Sequence, residues 1–526
     1  MQSTSQTLEL AYEGNTRSQS RRVIRCGMAI LIATSLAACM VGPDYRKPEV
    51  QLPEGFKEGV DWQRAQANPQ AAISSTWWRM YGDDKLNGLV EQALQANQSI
   101  VAAEAAYRVA LATVESDRAG LFPIVTAGLS GARSGGNLAG LEGIGTNTSS
   151  PPSNSVVASG AVSWELDLWG QIRRQLQAAK ANAQASDAQL AGERISIAAA
   201  VATDYFQLRQ ADVNIRMLKE QQDLYGRILA MTQTGFKEGF ASGDDVLNAQ
   251  ENLQIVIADL QTTEISREQN EHAIAVLTGT PPESLSIAPD PNYQFVSPDV
   301  PAALPSQLLE RRYDVVSAER TAAAANASIG VAEAAYFPTL TLSAEGGFAH
   351  NTFAHLFTLP SRFWTLGPDL AATLFDGGER TAAVHGARAT YDEDVANYRN
   401  TVLTAFQSVE DSLSSMNHLR AQAGAFASVY DSSNRLFASQ QAQFNAGATS
   451  EQNVLTQRLT LIQAEESLRD TQAQLAESNV LLVKNLGGGW QRDDASVASA
   501  PSAASMPSSL PATGAVAPPA AQPSAD

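Results

Sequence analysis

Two parts of this chain repeat one pattern, and that repetition limits the available folds more than any other feature. Leu94-Gln-Ala-Asn-Gln-Ser-Ile-Val-Ala-Ala-Glu104 aligns with Leu309-Glu-Arg-Arg-Tyr-Asp-Val-Val-Ser-Ala-Glu319 at a spacing of 215 residues (309 minus 94), and Phe122-Pro123 aligns with Phe337-Pro338 at the same spacing. Further along the spacing becomes 208 (378 minus 170). Gly170 then pairs with Gly378, the segment Phe236 to Leu247 with Phe444 to Leu455, and Gly279 with Gly487. Ordered matches at constant spacing imply a duplicated structural unit. The change of seven residues (215 minus 208) falls between Pro123 and Gly170, where the Gly- and Ser-rich stretch Ser134 to Ser155 reads as a longer loop in the first copy.

Each copy reads helix, strand, loop, strand, long helix, turn, helix. Asp84 to Ala119 and Ser306 to Tyr336 are Ala-rich with helical spacing of apolar residues, and both give way to Phe-Pro, where Pro disfavours helix in the residue before it. The strands alternate as helices cannot. In Val156 to Leu168, residues Ala158, Gly160, Val162, Trp164, Leu166 and Leu168 fall opposite Ser159, Ser163, Glu165 and Asp167. Thr339 to Phe348 sets Leu340, Leu342, Ala344 and Phe348 against Thr341, Ser343 and Glu345; Arg362 to Phe375 sets Trp364, Leu366, Leu370 and Leu374 against Thr365, Asp369 and Thr373.

A soluble sandwich with one buried face would alternate in the same way. Three features favour a bilayer instead. Each alternating core is close to the roughly 9 to 11 residues that cross a membrane when tilted. Trp164, Trp169 and Trp364 stand near strand ends, where an aromatic girdle lies. Only four strands are evident, and an open edge is not tolerated in lipid. Several chains must then pool their strands, and three would supply about 12.

The stretches Gly170 to Thr234 and Gly378 to Phe444 contain no Pro, and each of these roughly 65-residue runs extends about 100 Å as one helix. In the first, Ile197, Val201, Leu208, Ile215, Leu218, Tyr225 and Leu229 keep a near 3.5-residue spacing, while Asp187, Arg194, Arg209, Lys219 and Asp223 supply polar faces, a coiled-coil-like pattern. Each run ends at a Gly-containing turn, Phe236 to Ser242 or Phe444 to Ser450, and a return helix follows. The fold class is therefore mostly α with a small β part, with the two turns as hairpin tips far from the strands.

The first residues set the address. Four Arg between Arg17 and Arg25 precede the apolar run Gly27 to Ala37, which has the regions of a secretory signal peptide and is too short to span a membrane. Leu36-Ala-Ala-Cys39 resembles the bacterial lipobox, whose Cys carries a diacylglyceryl group and, after cleavage, an N-acyl chain. An ordinary cleavage site with an incidental Cys is the alternative, and Ser20-Arg21-Arg22 could be read as a twin-Arg signal, although no cofactor demanding prior folding is evident. Residues 1–38 are thus assigned as signal peptide. Met at position 40, where Asp commonly retains lipoproteins at the inner membrane, directs this chain to the outer membrane by resemblance.

Composition excludes other classes. With 36 Lys+Arg against 55 Asp+Glu the formal charge is −19, and removing residues 1–38 takes away four Arg and two Glu, leaving −21 (−19 minus 2), so a nucleic-acid partner is not expected. Cys26 lies in the removed segment and Cys39 is the acyl site, which leaves no disulfide or Cys-based zinc site. The five His, at 272, 350, 355, 385 and 418, show no ligand spacing, and the Gly-rich Gly128 to Gly145 lacks the Gly-Lys-Ser/Thr of a phosphate loop. Neither a metal site nor an enzyme is expected. Gln491 to Asp526 is almost wholly Ala, Pro and Ser and reads as a disordered tail.

The motifs Cys39-Met-Val-Gly-Pro-Asp-Tyr-Arg-Lys-Pro48, Trp77-Trp78, Trp164-Glu-Leu-Asp-Leu-Trp-Gly170, Leu304-Pro-Ser-Gln-Leu-Leu-Glu-Arg-Arg312 and Leu486-Gly-Gly-Gly-Trp490 resemble those of the outer-membrane factor family, in particular its lipoprotein branch serving RND-type tripartite drug-efflux pumps. The Leu304 to Arg312 segment is the most specific; the family usually continues with Pro-Asp, and here Tyr313 replaces the Pro, a change expected to be local and harmless. The resemblance implies a homotrimer with a 12-stranded barrel in the outer membrane, a helical tunnel through the periplasm, and tips that meet a periplasmic adaptor and an inner-membrane pump, of the proton-driven RND type in this branch. It divides the chain into an anchored extended segment (39–82), a first repeat (83–296), a second repeat (297–490) and the tail (491–526).

By the same resemblance the tips hold the gate, around Phe236, Gly239, Asp244 and Asp245 in one copy and Phe444, Gly447, Thr449, Asn453 and Thr456 in the other. Some members carry an Arg and acidic residues where this chain has Thr449, Asn453 and Thr456, so that closing lock is missing. Asp245 matches an acidic tip position; in a trimer it would become a cation-favouring ring, or it is an early-helix Asp favoured by the dipole. Asp411 is a further candidate for the tunnel wall. Within the channel class, a type I secretion duct is the runner-up, and a non-channel lipidated coiled-coil scaffold or adhesin is the competing class.

Overall fold

The computed structural model describes residues 40–50, 55–58, 74–137, 149–300 and 312–490. The signal segment, Cys39, residues 138–148, the motif positions 304–311 and the tail 491–526 lie outside the described residues. In chain order the elements are α1 (Asp84–Ala96), α2 (Gln98–Ala119), β1 (Ile124–Asn137), β2 (Ser149–Leu166), α3 (Gln171–Lys237), α4 (Gly243–Leu277), α5 (Tyr313–Ala334), β3 (Thr339–His350), β4 (Arg362–Ala371), α6 (Glu379–Asn445) and α7 (Glu451–Asn485).

Helix lengths match in pairs. α2 and α5 have 22 residues each, α3 and α6 have 67, and α4 and α7 have 35. Their starts keep the spacings read from sequence, 215 for the first pair (313 minus 98) and 208 for the others (379 minus 171; 451 minus 243). At 1.5 Å per residue, α3 and α6 each run about 100 Å. Glycines with positive φ punctuate both halves at the same positions: Gly170 and Gly378 before the long helices, Gly239 and Gly447 at the tips, Gly279 and Gly487 after the return helices. Residues with a Cβ are strained in that region, which is why these positions repeat as Gly.

Several expectations are corrected. The helix expected over Asp84 to Ala119 is two helices meeting at Asn97, whose extended backbone (φ −65°, ψ 128°) ends α1 and starts α2. Its Oδ1 accepts from the amides of Ser99 (2.8 Å) and Ile100 (3.2 Å), and its Nδ2 donates to the Leu277 carbonyl (2.9 Å). A side chain that caps one helix and ties it to another segment outweighs the helical propensity of its neighbours. Second, Ser134 to Asn137 and Ser149 to Ser155, expected as loop, are strand, with Ser134 facing Ser153. Small polar residues carry no apolar alternation, yet their backbones complete the ladder. At the other hairpin β4 ends at Ala371, short of Phe375.

The strands form one antiparallel sheet in the order β1-β2-β3-β4. Among the helices α3 is central, packing on α2, α4, α5 and α7, while α6 packs on α5 and α7. The main core lies midway along α3, where Tyr205, Phe206 and Leu208 meet Trp77, Tyr81, Leu86 and Val402. Trp77-Trp78 thus serves as core, in a short 3-10 turn, and the Tyr81 hydroxyl donates to Asn479 Oδ1 (2.8 Å) on α7. The coiled-coil stripe lies at helix contacts: Val201 and Leu208 are fully buried, and Tyr225 packs beside Val213, Met217 and Leu224. Arg209, expected on a polar face, is instead buried 2.9 Å from Asp212, which Arg267 Nε also reaches at 2.6 Å. No helix among the described residues is long and apolar enough to cross a membrane.

Candidate functional site: the open sheet, its corners and the helix tips

The register of the sheet sorts its side chains. Leu129 stands opposite Ala158, which stands opposite Phe348; Val125, Val162, Ala344 and Leu366 form a second row, and Trp164, Leu342 and Pro368 a third. Side chains directly opposite share a face. The other face carries Ser163, Ser343 and Gly367 in one row, with Ile124 of β1 as its apolar member, and Thr126, Ala161, Glu345 and Thr365 in another. The faces expected from alternation therefore extend through all four strands. Neither is covered: Leu366 is 73% exposed and Leu370 66% on the apolar side. The outer edges of β1 and β4 have no partner strand among the described residues.

Where strand turns into helix, each half uses an Asp and an Arg. Asp167 accepts from the amides of Ile172 (3.1 Å) and Arg173 (3.0 Å) and from Arg173 Nε (3.0 Å), on either side of the left-handed Gly170. Asp376 accepts from the Gly378 amide (3.0 Å) and Arg380 Nε (2.5 Å) in the same way. A carboxylate against the first-turn amides satisfies donors that a helix start leaves free. The expected girdle tryptophans fall on two levels. Trp164 donates its indole N–H to the Leu121 carbonyl (3.1 Å), and Trp169 donates to the Pro338 carbonyl (2.8 Å) and stacks on Phe337 at 4.7 Å, so both fasten the helix end of the sheet to a Phe-Pro corner. Trp364, 74% exposed, faces Gly346 near the opposite end.

The segment after Cys39 is built into this corner. The Val41 amide donates to the Trp169 carbonyl (3.1 Å). Arg174, buried in α3, donates to the carbonyls of Val41 (3.1 Å) and Gly42 (2.9 Å) and to Asp44 (3.1 Å). Asn326 Nδ2 donates to the Pro43 carbonyl (2.9 Å) and the Tyr45 hydroxyl to Glu319 (2.7 Å). Sequence reading flagged the motif but missed Arg174, which looks like any first-turn Arg.

At the first tip Gly239 (φ 78°) lets the Phe240 amide reach back to the Gly235 carbonyl (2.7 Å), and at the second Gly447 (φ 72°) lets Ala448 reach Gln443 (2.8 Å). These are the helix-ending hydrogen bonds a left-handed Gly permits. Phe236 and Phe444 are partly exposed beside them, and Phe240 is 89% exposed. Asp245 is held in a capping box: its amide donates to Ser242 Oγ (3.1 Å), and its carboxylate accepts from the Ser242 amide (2.8 Å) and hydroxyl (2.7 Å). Those bonds, the backbone one foremost, hold Asp245 below the usual carboxylate range. Asp245 is thus the third helical residue of a capping box closed on Ser242; Asp244 beside it lies in the first turn. In the second tip Asn453 donates its amide to Ser450 Oγ (3.4 Å) and its Nδ2 to Thr449 (3.0 Å), and Thr456 bonds back to the Gln452 carbonyl (2.9 Å). Asp411 is exposed on α6.

An open two-faced sheet on long helical hairpins is the architecture expected of an outer-membrane channel protein. Comparison with known proteins gives the same class. The family model described as outer membrane efflux protein matches residues 89–280 and 304–488. The chain is 28% identical over 461 residues to the toluene efflux pump outer membrane protein TtgC of Pseudomonas putida, covering 86% of this chain and 93% of that one. It is 29% identical over 464 residues to the pyoverdine export outer membrane protein OpmQ of Pseudomonas aeruginosa, covering 87% and 97%. The solved structure of the outer-membrane channel OprN superposes with a TM-score of 0.76 at 29% identity, over 86% of this chain and all of that one. The chain belongs to the outer membrane efflux protein family. It is an outer-membrane efflux channel protein.

Proposed function

We propose that three copies of this chain close one duct. Three copies of the four-stranded sheet give a 12-stranded barrel with apolar residues toward lipid and Ser, Thr and Glu toward a wet lumen. The observation that carries this reading is the register, which aligns one apolar and one polar face across all four strands while leaving both exposed and both edges open. A lone sheet of that kind has no stable place in water or lipid. The repeated helix lengths and glycine positions support a duplicated unit, so that α3/α4 and α6/α7 form two alike hairpins in the periplasmic wall.

Cys39 carries the acyl chains in this reading. The support is the corner: Val41 bonds to Trp169 where strand meets helix, the level at which the inner-leaflet surface meets the barrel. Trp164 and Trp169 mark that surface and Trp364 the outer one. The tips are the gate, meeting an adaptor and an inner-membrane pump that supplies the energy; the duct itself does no chemistry. Its cargo is small organic molecules. Relatives named for toluene and for pyoverdine match this chain equally well, which supports choice of substrate by the pump.

Native mass spectrometry of the mature protein from outer membranes in mild detergent tests this reading, followed by conductance in planar bilayers. A lipidated, conducting trimer is the expected result. A monomer persisting across several mild detergents would overturn the pooled barrel and favour a tethered scaffold.

A further inference from the structure

We propose that the β3–β4 loop is a docking surface for the phosphorylated glycolipid of the outer leaflet; the proposal rests on the channel reading above. β3 follows α5 and β4 precedes α6, so their connection stands at the end of the sheet away from the helices. Within it, residues 353–355 and 359–361 form 3-10 turns, locked where Thr358 and Ser361 donate to the His355 carbonyl (2.9 and 3.0 Å) and where Leu356 is fully buried. This ordered loop nevertheless presents Phe353, Phe357 and Leu359 outward, at 64%, 67% and 81% exposure.

Its apolar side chains continue the lipid face of the sheet. Phe357 packs edge-on against Phe348 at 5.5 Å, and Phe348 lies in the apolar row with Ala158. Height gives the reason. From Leu340 to Phe348 the apolar stripe of β3 is about 26 Å long. At the usual barrel tilt it rises about 20 Å, short of an apolar band of about 25 Å. The loop supplies what is missing, on the outer-leaflet side.

Charge selects the occupant. The chain carries −19, yet residues 346–364 contain no Asp or Glu and hold His350, His355 and Arg362. Across the sheet, the described outer half of the first hairpin, residues 130–137 and 149–158, adds only Arg133. The nearest carboxylate of the second hairpin, Glu345, is on the polar face. The two imidazoles lie 5.6 Å apart, and the Thr352 amide stands 3.0 Å from His350 Nδ1, which leaves Nε2 of that ring facing outward from the turn without a bond to the loop. A cluster of donors above an apolar platform suits a phosphate carried on acyl chains.

The test titrates the full-length mature trimer with lipid A bearing both phosphates and with its dephosphorylated counterpart, counting bound lipid by native mass spectrometry. The wild type is expected to hold the phosphorylated form about fivefold or more tightly. Combining Arg362→Gln, His350→Gln and His355→Gln should erase that preference while trimer and conductance persist. Phe357→Ser with Leu359→Ser should weaken both lipids alike. Equal binding of both lipids by the wild type, or a preference that survives the triple change, would overturn the proposal. Loss of the trimer on these substitutions would overturn it too, in favour of a neighbouring copy as occupant. A wild type that is monomeric and non-conducting would instead reject the channel reading before the lipid is added.

Discussion

A Cβ built on Gly42 would stand 2.4 Å from the Cα of Gly330, so the segment around Gly42 touches α5 backbone to backbone. Gly42 also has φ +94°, a conformation that L side chains rarely adopt. Gly42→Ala should therefore lift residues 40–46 off the corner at about 2 kcal/mol. Hydrogen exchange of the Val41 amide, which donates to Trp169, reads this directly, and unchanged protection would refute the contact.

The buried charge cluster should be brittle. Asp212 accepts from Arg209, Arg267 and the Asp290 amide, and Arg267 also reaches Glu271 and the Ile287 carbonyl, which pins the segment after α4 onto α3. Asp212→Ala leaves two guanidinium groups short of their partner, a loss of about 3 to 5 kcal/mol. Denaturant melts of the purified protein should show the drop, and Asp290 should become protease-sensitive first.

Acid should strengthen the α3–α7 contact. Burial pushes the Asp204 carboxyl up to about 6, and Glu477 on α7 is raised by burial and by Asp204, against a lowering bond from Gln207. A raised acid is favourable while protonated: the contribution is full below the ordinary carboxylate range near 4 and is lost as pH rises through about 6. Stability is then greater at pH 5 than at pH 7.5, by on the order of 1 kcal/mol because solvent reaches part of the side chain. Asp204→Asn should flatten that slope and raise the melting temperature at pH 7.5. A slope unchanged in the variant would assign it elsewhere.

The two tips should respond differently to acid. Asp245 sits below the usual range, so its cap is intact above that range and is lost as pH falls through the lowered value. The second tip uses Asn453, which does not titrate. Amide exchange corrected for its intrinsic pH dependence should therefore quicken below pH 4 more at residues 243–247 than at 451–455, where the first-turn Glu451 pairs with Arg227 and not with the cap. Ser242→Ala should speed it about fivefold at neutral pH. Equal acid response at both tips would contradict the capping assignment.

Most of the frame was legible because the features that encode it are local or repeated. Pro-free runs marked α3 and α6, alternation marked β2, β3 and β4, and glycines at fixed spacing marked tips and helix ends. Less legible were features that depend on distant partners. Asn97 breaks a helix because Leu277 lies beside it, and Arg209 is buried because Asp212 and the segment near Ala288 close over it. Ser134 to Asn137 extend β1 through backbone pairing that leaves no hydropathic trace. At the candidate tips, sequence marked Asp245 without distinguishing a pore charge from a cap; the hydroxyl of Ser242 supplies the local role. Tyr313 has a counterpart at Gly192: a Cβ there would come within 2.2 Å of the Tyr313 ring.

The unequal hairpins have a consequence for how the duct looks from its two ends. β1 and β2 have 14 and 18 residues, whereas β3 and β4 have 12 and 10, while the long helices are equal at 67. In the proposed trimer a periplasmic visitor meets six fingertips of one length and nearly sixfold order. An outside visitor meets a crown of three tall and three short merlons, with threefold order alone. A ligand arriving from the medium can therefore tell the two halves of the chain apart by height, a distinction that finger length denies to anything approaching from within the cell.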